Sequence, residues 1–299
     1  MSERNFRKML EVKWAEGKFV CVGLDSEYSK IPEPVRITNV GGAITDFNTL
    51  IVSATKDVVS AYKINTAFYE AYGKEGWYAL HNTVANIHHI AADVPVILDA
   101  KRADIGNTNE GYVKMAFEYL GVDAITVHPY LGREALQPFL ECKDKGIIVL
   151  CRTSNLGAGE FQDLQVSIDV PELDHLRTVG ARFALVFSGV STNMSNHVAF
   201  QVSKHWNKYG NCALVVGATY PAQLEEIRAI VGDMPILIPG VGAQGGDVEK
   251  TVKAGKDSRG QGMIINSSRG IIFASSGLDF AEVARRETLK LHEEIKKHL

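Results

Sequence analysis

Within Val96-Ile97-Leu98-Asp99-Ala100-Lys101-Arg102-Ala103-Asp104, an apolar run passes directly into the pattern Asp-x-Lys-x-x-Asp. Residues i and i+2 of a strand share a face, so Asp99 and Lys101 point the same way for as long as the strand persists. A carboxylate beside a lysine holds the ammonium protonated and oriented, ready to serve as a fixed positive charge or as an acid. Solvated charges at a strand end are the plainer alternative for this segment alone. A second lysine weighs against that alternative: Lys63, in Ala61-Tyr62-Lys63-Ile64-Asn65, ends the preceding apolar run and is expected beside Asp99. Burying such charges is costly, which favours a chemical role over a structural one.

A second group of residues suits an anion. Ile238-Pro239-Gly240-Val241-Gly242-Ala243-Gln244-Gly245-Gly246-Asp247 is rich in glycine, which lets backbone N–H groups approach an anion closely. It also spells G-x-G-x-x-G, but it follows six earlier strand-helix units rather than opening a dinucleotide-binding half, so a phosphate loop is the simpler reading. Asn266-Ser267-Ser268-Arg269-Gly270 follows the next apolar run and adds backbone donors and an arginine fork. Taken alone, Arg269 is equally a surface ion-pair residue; with the glycine loop it makes a phosphate grip.

These residues need a scaffold that gathers strand ends. Eight β-rich runs recur with helical patterns between them: KFVCVGLD, VVSAYKINT, VPVILDAK, DAITVHP, KGIIVLC, CALVVGAT, MPILIPG and QGMIINS. Continuous apolar runs read as parallel strands buried on both faces, and eight strand-helix units favour an α/β fold of the closed (β/α)8 TIM-barrel type, in a single domain. Asp25, Lys63, Asp99, Lys101, Ser154, Gln244 and Arg269 then lie near strand C-termini, the end that carries the active site in this architecture. A leading helix over about residues 3 to 16 is expected to close the barrel bottom, and an amphipathic helix over 280–299 follows the last strand. Residues 181 to 190 also resemble a strand but fall in the long stretch between the fifth and sixth runs; they are read as helix or insertion. A ninth strand there would require an open doubly wound sheet instead.

Composition narrows the function. The 299 residues include 32 Lys and Arg against 35 Asp and Glu, a net charge of -3, so there is no overall basic field for nucleic acid or an anionic membrane. Apolar runs stop after about six residues, far short of the roughly 20 that cross a bilayer. The four cysteines show no CxxC spacing, and the N-terminus lacks an apolar signal core, so a reducing, cytoplasmic setting is expected. The nine histidines show no metal-binding spacing: His88 and His89 are adjacent, and His81 lies seven residues before His88. His128, ending the fourth run, reads equally as a pocket-lining or a packing residue. No G-x-S-x-G elbow occurs, which argues against a hydrolase triad.

The segments CVGLD, AYKINTAFYEAYG, LDAKRADIGNTNEGY, ITVHPYLG, LCRTSNLGAGEFQDL, LVVGATYP, PGVGAQGGD and INSSRG resemble, in order and nearly from end to end, the orotidine 5′-phosphate decarboxylase family. The chain departs from the family pattern at Ala103, where glycine is common, and in an extended region at about residues 178–200. The resemblance implies decarboxylation of orotidine 5′-phosphate to UMP, the last step of pyrimidine nucleotide biosynthesis, by a Lys63, Asp99, Lys101, Asp104 array without metal or other cofactor. It implies that Asp25 and Lys63 hold ribose hydroxyls, Ser154 the pyrimidine amide edge, and Gln244 with Arg269 the phosphate, with Gly242 and Ser268 in the same grip. It further implies a homodimer in which Asp104, Ile105 and Thr108 reach the partner's site. Two rival functions remain open on the residues: a magnesium-dependent sugar-phosphate lyase with the same strand motif, disfavoured because Lys63 stands where a metal-binding acid is expected, and a non-catalytic phosphate-binding barrel.

Overall fold

The computed structural model describes residues 4–167, 191–241 and 246–299. The strand-like segment 181–190, most of the extended region at 178–200, and Gly242 and Gln244 lie outside the described residues.

The described strands are β1 (Val20–Gly23), β2 (Ala61–Asn65), β3 (Val96–Arg102), β4 (Ala124–Val127), β5 (Gly146–Arg152), β6 (Gln165–Ser167), β7 (Ser191–Asn193), β8 (Cys212–Val216), β9 (Ile236–Pro239) and β10 (Met263–Ser267). Eight of them close into one barrel in the order β1-β10-β9-β8-β5-β4-β3-β2, every pairing parallel. These are the eight apolar runs of the sequence, and their closure rules out the open-sheet alternative among the described residues. Their composition explains the topology: β1, β4 and β8 are buried at every position, as strands must be that face a packed interior on one side and helices on the other. The remaining two strands, β6 and β7, form a separate antiparallel pair that periodicity did not announce.

The barrel bottom is closed by the helix Phe6–Ala15, capped by the Asn5 side chain, which accepts from the Lys8 N–H. Phe6, Leu10 and Trp14 recur at helical spacing and are buried, and Trp14 Nε1 donates to the Met263 carbonyl at 2.8 Å. Gly146, the first residue of β5, lies flush against the Phe6 ring, where a Cβ would collide. The last helix, Phe280–Lys296, packs its apolar stripe on the helix Val40–Thr55, with Phe47 stacked against Phe280 at 4.9 Å between ring centres. No helix among the described residues is long and apolar enough to cross a membrane.

One irregularity lies at the strand that carries the Asp-x-Lys pattern. β3 and β4 are in register at Leu98 with Ile125 and again at Arg102 with Val127, so Asp99, Ala100 and Lys101 together oppose Thr126 alone. Lys101 takes a φ of 49°, the one positive value at a non-glycine position among the described residues. Simple alternation therefore does not continue through the pair; a bulge re-aims the side chains at the rim.

Candidate active site

A cavity of about 490 Å³ opens at the C-terminal ends of the barrel strands. Asp25, Lys63, Asp99, Lys101, Ser154, Ser268 and Arg269 all line it, so seven of the expected site residues meet in one place.

Four of these form a charged row. Lys63, on β2, is only 4% exposed, and its Nζ lies 3.4 Å from Asp25 Oδ1 and 3.2 Å from Asp99 Oδ2. Parallel pairing of β2 with β3 brings this about, since Asn65 stands opposite Asp99 and Lys63 two residues before it. The other Asp99 oxygen, Oδ1, accepts from Lys101 Nζ at 2.6 Å and from Thr126 Oγ1 at 2.9 Å. Lys101 itself is half exposed toward the cavity, whereas Asp99 is largely buried. Two acids and two ammoniums alternate in charge, so the row needs no counter-ion.

Burial alone would raise the pKa of Asp99, but the neighbouring Lys63 and Lys101 ammoniums, helped by the hydrogen bonds from Lys101 and Thr126, outweigh it and hold the carboxyl down at about 2. Burial likewise works against charge on Lys63, and the Asp25 and Asp99 carboxylates overcome it, keeping the ammonium above the ordinary lysine range. Below them the Cys21 thiol is fully enclosed, and burial pushes it up to about 12, so it stays neutral.

One wall of the cavity is built by β9, β10 and the residues that follow them. Gly240 has a φ of 96°, which favours glycine, and Val241 bridges to Gly246, pinning the two ends of the loop whose residues 242–245 are not described. Arg269, exposed at the rim, opens the short helix Arg269–Ile272. Ser268 donates its hydroxyl to the Gly23 carbonyl at 2.9 Å, so its side chain fastens β10 to β1. A Cβ on Gly23 would stand 2.7 Å from Ser268 Cβ, which explains the glycine there.

Opposite, Ser154 is seated on Gly217, where an added Cβ would come within 2.8 Å of the Ser154 Cα. The loop around it is anchored by Arg152, a residue the sequence reading passed over. Arg152 is 2% exposed; its guanidinium lies 3.9 Å from the centre of the Tyr220 ring, and its Nε donates to Gln223 Oε1 at 2.8 Å and pairs with Asp163 Oδ1 at 3.2 Å. The available signal was an arginine ending an otherwise apolar strand. Thr126, also passed over, carries the only polar side chain in the short run Ala124–Val127. His128, read both ways from sequence, is half-buried, and its Nδ1 has no hydrogen-bond partner in the described structure.

Asp104, Ile105 and Thr108 are not among the residues lining the cavity. Beyond the bulge the chain turns outward: the Asp104 N–H donates to Asn109 Oδ1 at 2.8 Å, and Asn109 Nδ2 donates back to the Asp104 carbonyl and to Ala135 O. Ile105 is 60% exposed and Thr108 is exposed.

Comparison with known proteins agrees with this geometry. Residues 18–285 match the model of the orotidine 5′-phosphate decarboxylase / HUMPS family. The chain is 42% identical to the orotidine 5′-phosphate decarboxylase of Cellvibrio japonicus over 97% of its own length and 98% of the relative's. It is 44% identical to that of Ralstonia pickettii, over 97% of each. Among solved structures it is similar to Leishmania donovani OMP decarboxylase, with a TM-score of 0.77, 32% identity and coverage of 98% and 99% of the two chains. It is also similar to Leishmania donovani UMP synthase, with a TM-score of 0.80 and 34% identity, covering 99% of this chain and 56% of that one. Fold, cavity and sequence point the same way: the chain belongs to the orotidine 5′-phosphate decarboxylase / HUMPS family.

Proposed function

We propose that this chain decarboxylates orotidine 5′-phosphate to UMP and CO2, the closing step of pyrimidine nucleotide synthesis, with Lys101 as the group that meets the charge on carbon. The carboxy-lyase class rests on family membership. The observation that carries the residue roles is the Lys101 ammonium held 2.6 Å from a buried, ionised Asp99 at the rim of a cavity with a phosphate grip.

When the bond between C6 and the carboxylate breaks, CO2 leaves and the electron pair stays on C6, where no π system can delocalise it. A positive charge already in place stabilises that pair without reorganisation at the moment of reaction. Lys101 Nζ then delivers a proton to C6, giving UMP, and its half-exposed side chain regains a proton from solvent. Asp99 keeps the ammonium aimed and lies close to where the departing carboxylate must sit. Asp25 and Lys63 hold the ribose, Ser154 the pyrimidine amide edge, and Arg269 with Gly242, Gln244 and the backbone at Ser268 the phosphate. Binding energy from that remote end supports closure around the reacting ring.

The position of Asp104, Ile105 and Thr108 outside their own cavity supports a homodimer in which these three complete the partner's site; Asp104 would then add a fifth charge to the row, next to Lys101. All four cysteines are free thiols and three of them are buried, which supports a reducing, cytoplasmic setting. The positive charge needed at C6 is supplied by an ammonium, so the proposed mechanism asks for neither a metal nor another cofactor.

One assay tests the reading: loss of orotidine 5′-phosphate followed by ultraviolet absorbance, with EDTA present, for wild type and Lys101→Ala. Wild-type turnover should survive the chelator. Lys101→Ala should abolish turnover while keeping UMP affinity within about tenfold, because the phosphate and ribose contacts remain. Retention of more than about a tenth of wild-type kcat would sink the role of Lys101.

A further inference from the structure

A bulge leaves backbone groups without their ladder partners, and buried ones must find others. In β3 the three residues Asp99, Ala100 and Lys101 face the single residue Thr126 of β4. The Thr126 side chain, fully buried, occupies the gap. Its Oγ1 lies 2.9 Å from the Lys101 backbone nitrogen and 2.9 Å from Asp99 Oδ1. An N–H can only donate and an ionised carboxylate can only accept, so the one hydroxyl proton must go to Asp99 while the hydroxyl oxygen accepts from Lys101. Asp99 Oδ1 also receives Lys101 Nζ at 2.6 Å, which closes a ring running from the lysine backbone through the threonine and the aspartate back to the lysine side chain.

We propose that Thr126 is the positioning residue of the Lys101–Asp99 pair, fixing the lysine backbone and the rotation of the carboxylate together. The inference rests on the reading of Lys101 as proton donor. Two features need such a device. Lys101 sits at a φ of 49°, a conformation disfavoured for any residue with a Cβ, and the bond from its N–H to Thr126 holds it there. Asp99 has cations on both sides, and the two donors on Oδ1 turn that oxygen toward Lys101 and leave Oδ2 to Lys63 at 3.2 Å. Without the hydroxyl the carboxylate can swing toward Lys63, and the ammonium loses its aim at the ring carbon. The residue acts on chemistry rather than on binding, because it touches neither the phosphate grip nor Ser154.

The experiment compares Thr126→Val, which keeps the shape and loses the hydroxyl, with Thr126→Ser, which keeps the hydroxyl, beside Lys101→Ala. Thr126→Val should lower kcat by on the order of tenfold to a hundredfold, as small misplacements of reacting groups do. Its KM and its UMP affinity should stay within about threefold, and Thr126→Ser should retain more than about a third of wild-type kcat. Should the valine variant not accumulate as folded protein, Thr126→Ala carries the same test with the same expected split. Wild-type kcat in Thr126→Val, equal losses in the valine and serine variants, or losses in UMP affinity as large as those in kcat would each overturn the positioning role. An active Lys101→Ala would bring down the proton-donor reading and this inference with it, whereas an inert Lys101→Ala beside a fully active Thr126→Val overturns the inference alone.

Discussion

Lys63 and Asp99 meet across the boundary between β2 and β3 at 3.2 Å, with the lysine nitrogen almost sealed from water and a second carboxylate, Asp25, 3.4 Å away on its other side. One ammonium therefore bridges two carboxylates, Asp25 just past the end of β1 and Asp99 on β3. Its removal leaves both acids facing each other in a cavity wall.

Lys63→Met should accordingly destabilise the protein by about 3 kcal/mol or more at neutral pH, since uncompensated buried charge costs more than the pair itself contributes. The pH dependence has a defined sign. Asp99 is held at about 2 in the folded protein, below its unfolded value near 4, so its contribution is present above about pH 4 and is lost as the pH falls toward 2. Lys63 is shifted upward, so its contribution is present below the unfolded lysine value near 10.4 and is lost only as the pH rises through its folded value. The difference in Tm between wild type and Lys63→Met should therefore be wide and level from about pH 5 to 9, narrowing below about pH 4 as Asp99 takes up a proton. A difference that stays constant down to pH 2 would show that the array is not what Lys63 stabilises.

Arg269→Ala should weaken substrate binding by about 2 to 4 kcal/mol, the range for losing a charge-assisted fork to a phosphate. The loss should be seen in KM for orotidine 5′-phosphate and in the inhibition constant of inorganic phosphate or UMP. An unchanged KM and kcat would remove Arg269 from the phosphate site.

Much of this was legible in the residues, for a physical reason. Parallel barrel strands are buried on both faces, so each appears as an unbroken apolar run, and the polar residue after each run marks the barrel mouth; Asp25, Lys63, Asp99 and Ser154 were located in that way. What escaped depends on pairing rather than on local pattern. The bulge opposite Thr126 follows from the register of β3 against β4, which no property of either strand alone reports. The β6–β7 pair escaped because Gln165–Ser167 and Ser191–Asn193 are three residues each, with too little apolar content to show a period. Arg152 reads like any loop arginine until Tyr220, Gln223 and Asp163 are brought to it from elsewhere in the chain.

Assembly can be tested by complementation. Asp104 lies three residues past Lys101 and does not line its own cavity, so on the proposed shared site Lys101→Ala and Asp104→Ala should each be inactive and should rescue one another when mixed. An isologous heterodimer holds one site with both lesions and one with neither. Random exchange of equal amounts then gives about a quarter of wild-type activity per site. No recovery after exchange has been verified by mass would reject the shared site while leaving the decarboxylase reading intact.

The seam between β1 and β10 also governs when the cavity comes into being. Cys21 and Asn266, whose contact joins the two strands, are 245 residues apart. Asp25 follows one side of that seam and Arg269 the other, so these two parts of the cavity wall are brought together by the most distant strand pairing in the ring. Contacts of such separation are slow to form, because the whole intervening chain must be gathered first. On the ribosome, β1 can pair with β2 as soon as that strand follows, but its other edge must wait for β10. A nascent chain halted before β10 thus leaves an edge of β1 and an edge of β9 unpaired and lacks the part of the cavity wall that carries Ser268 and Arg269.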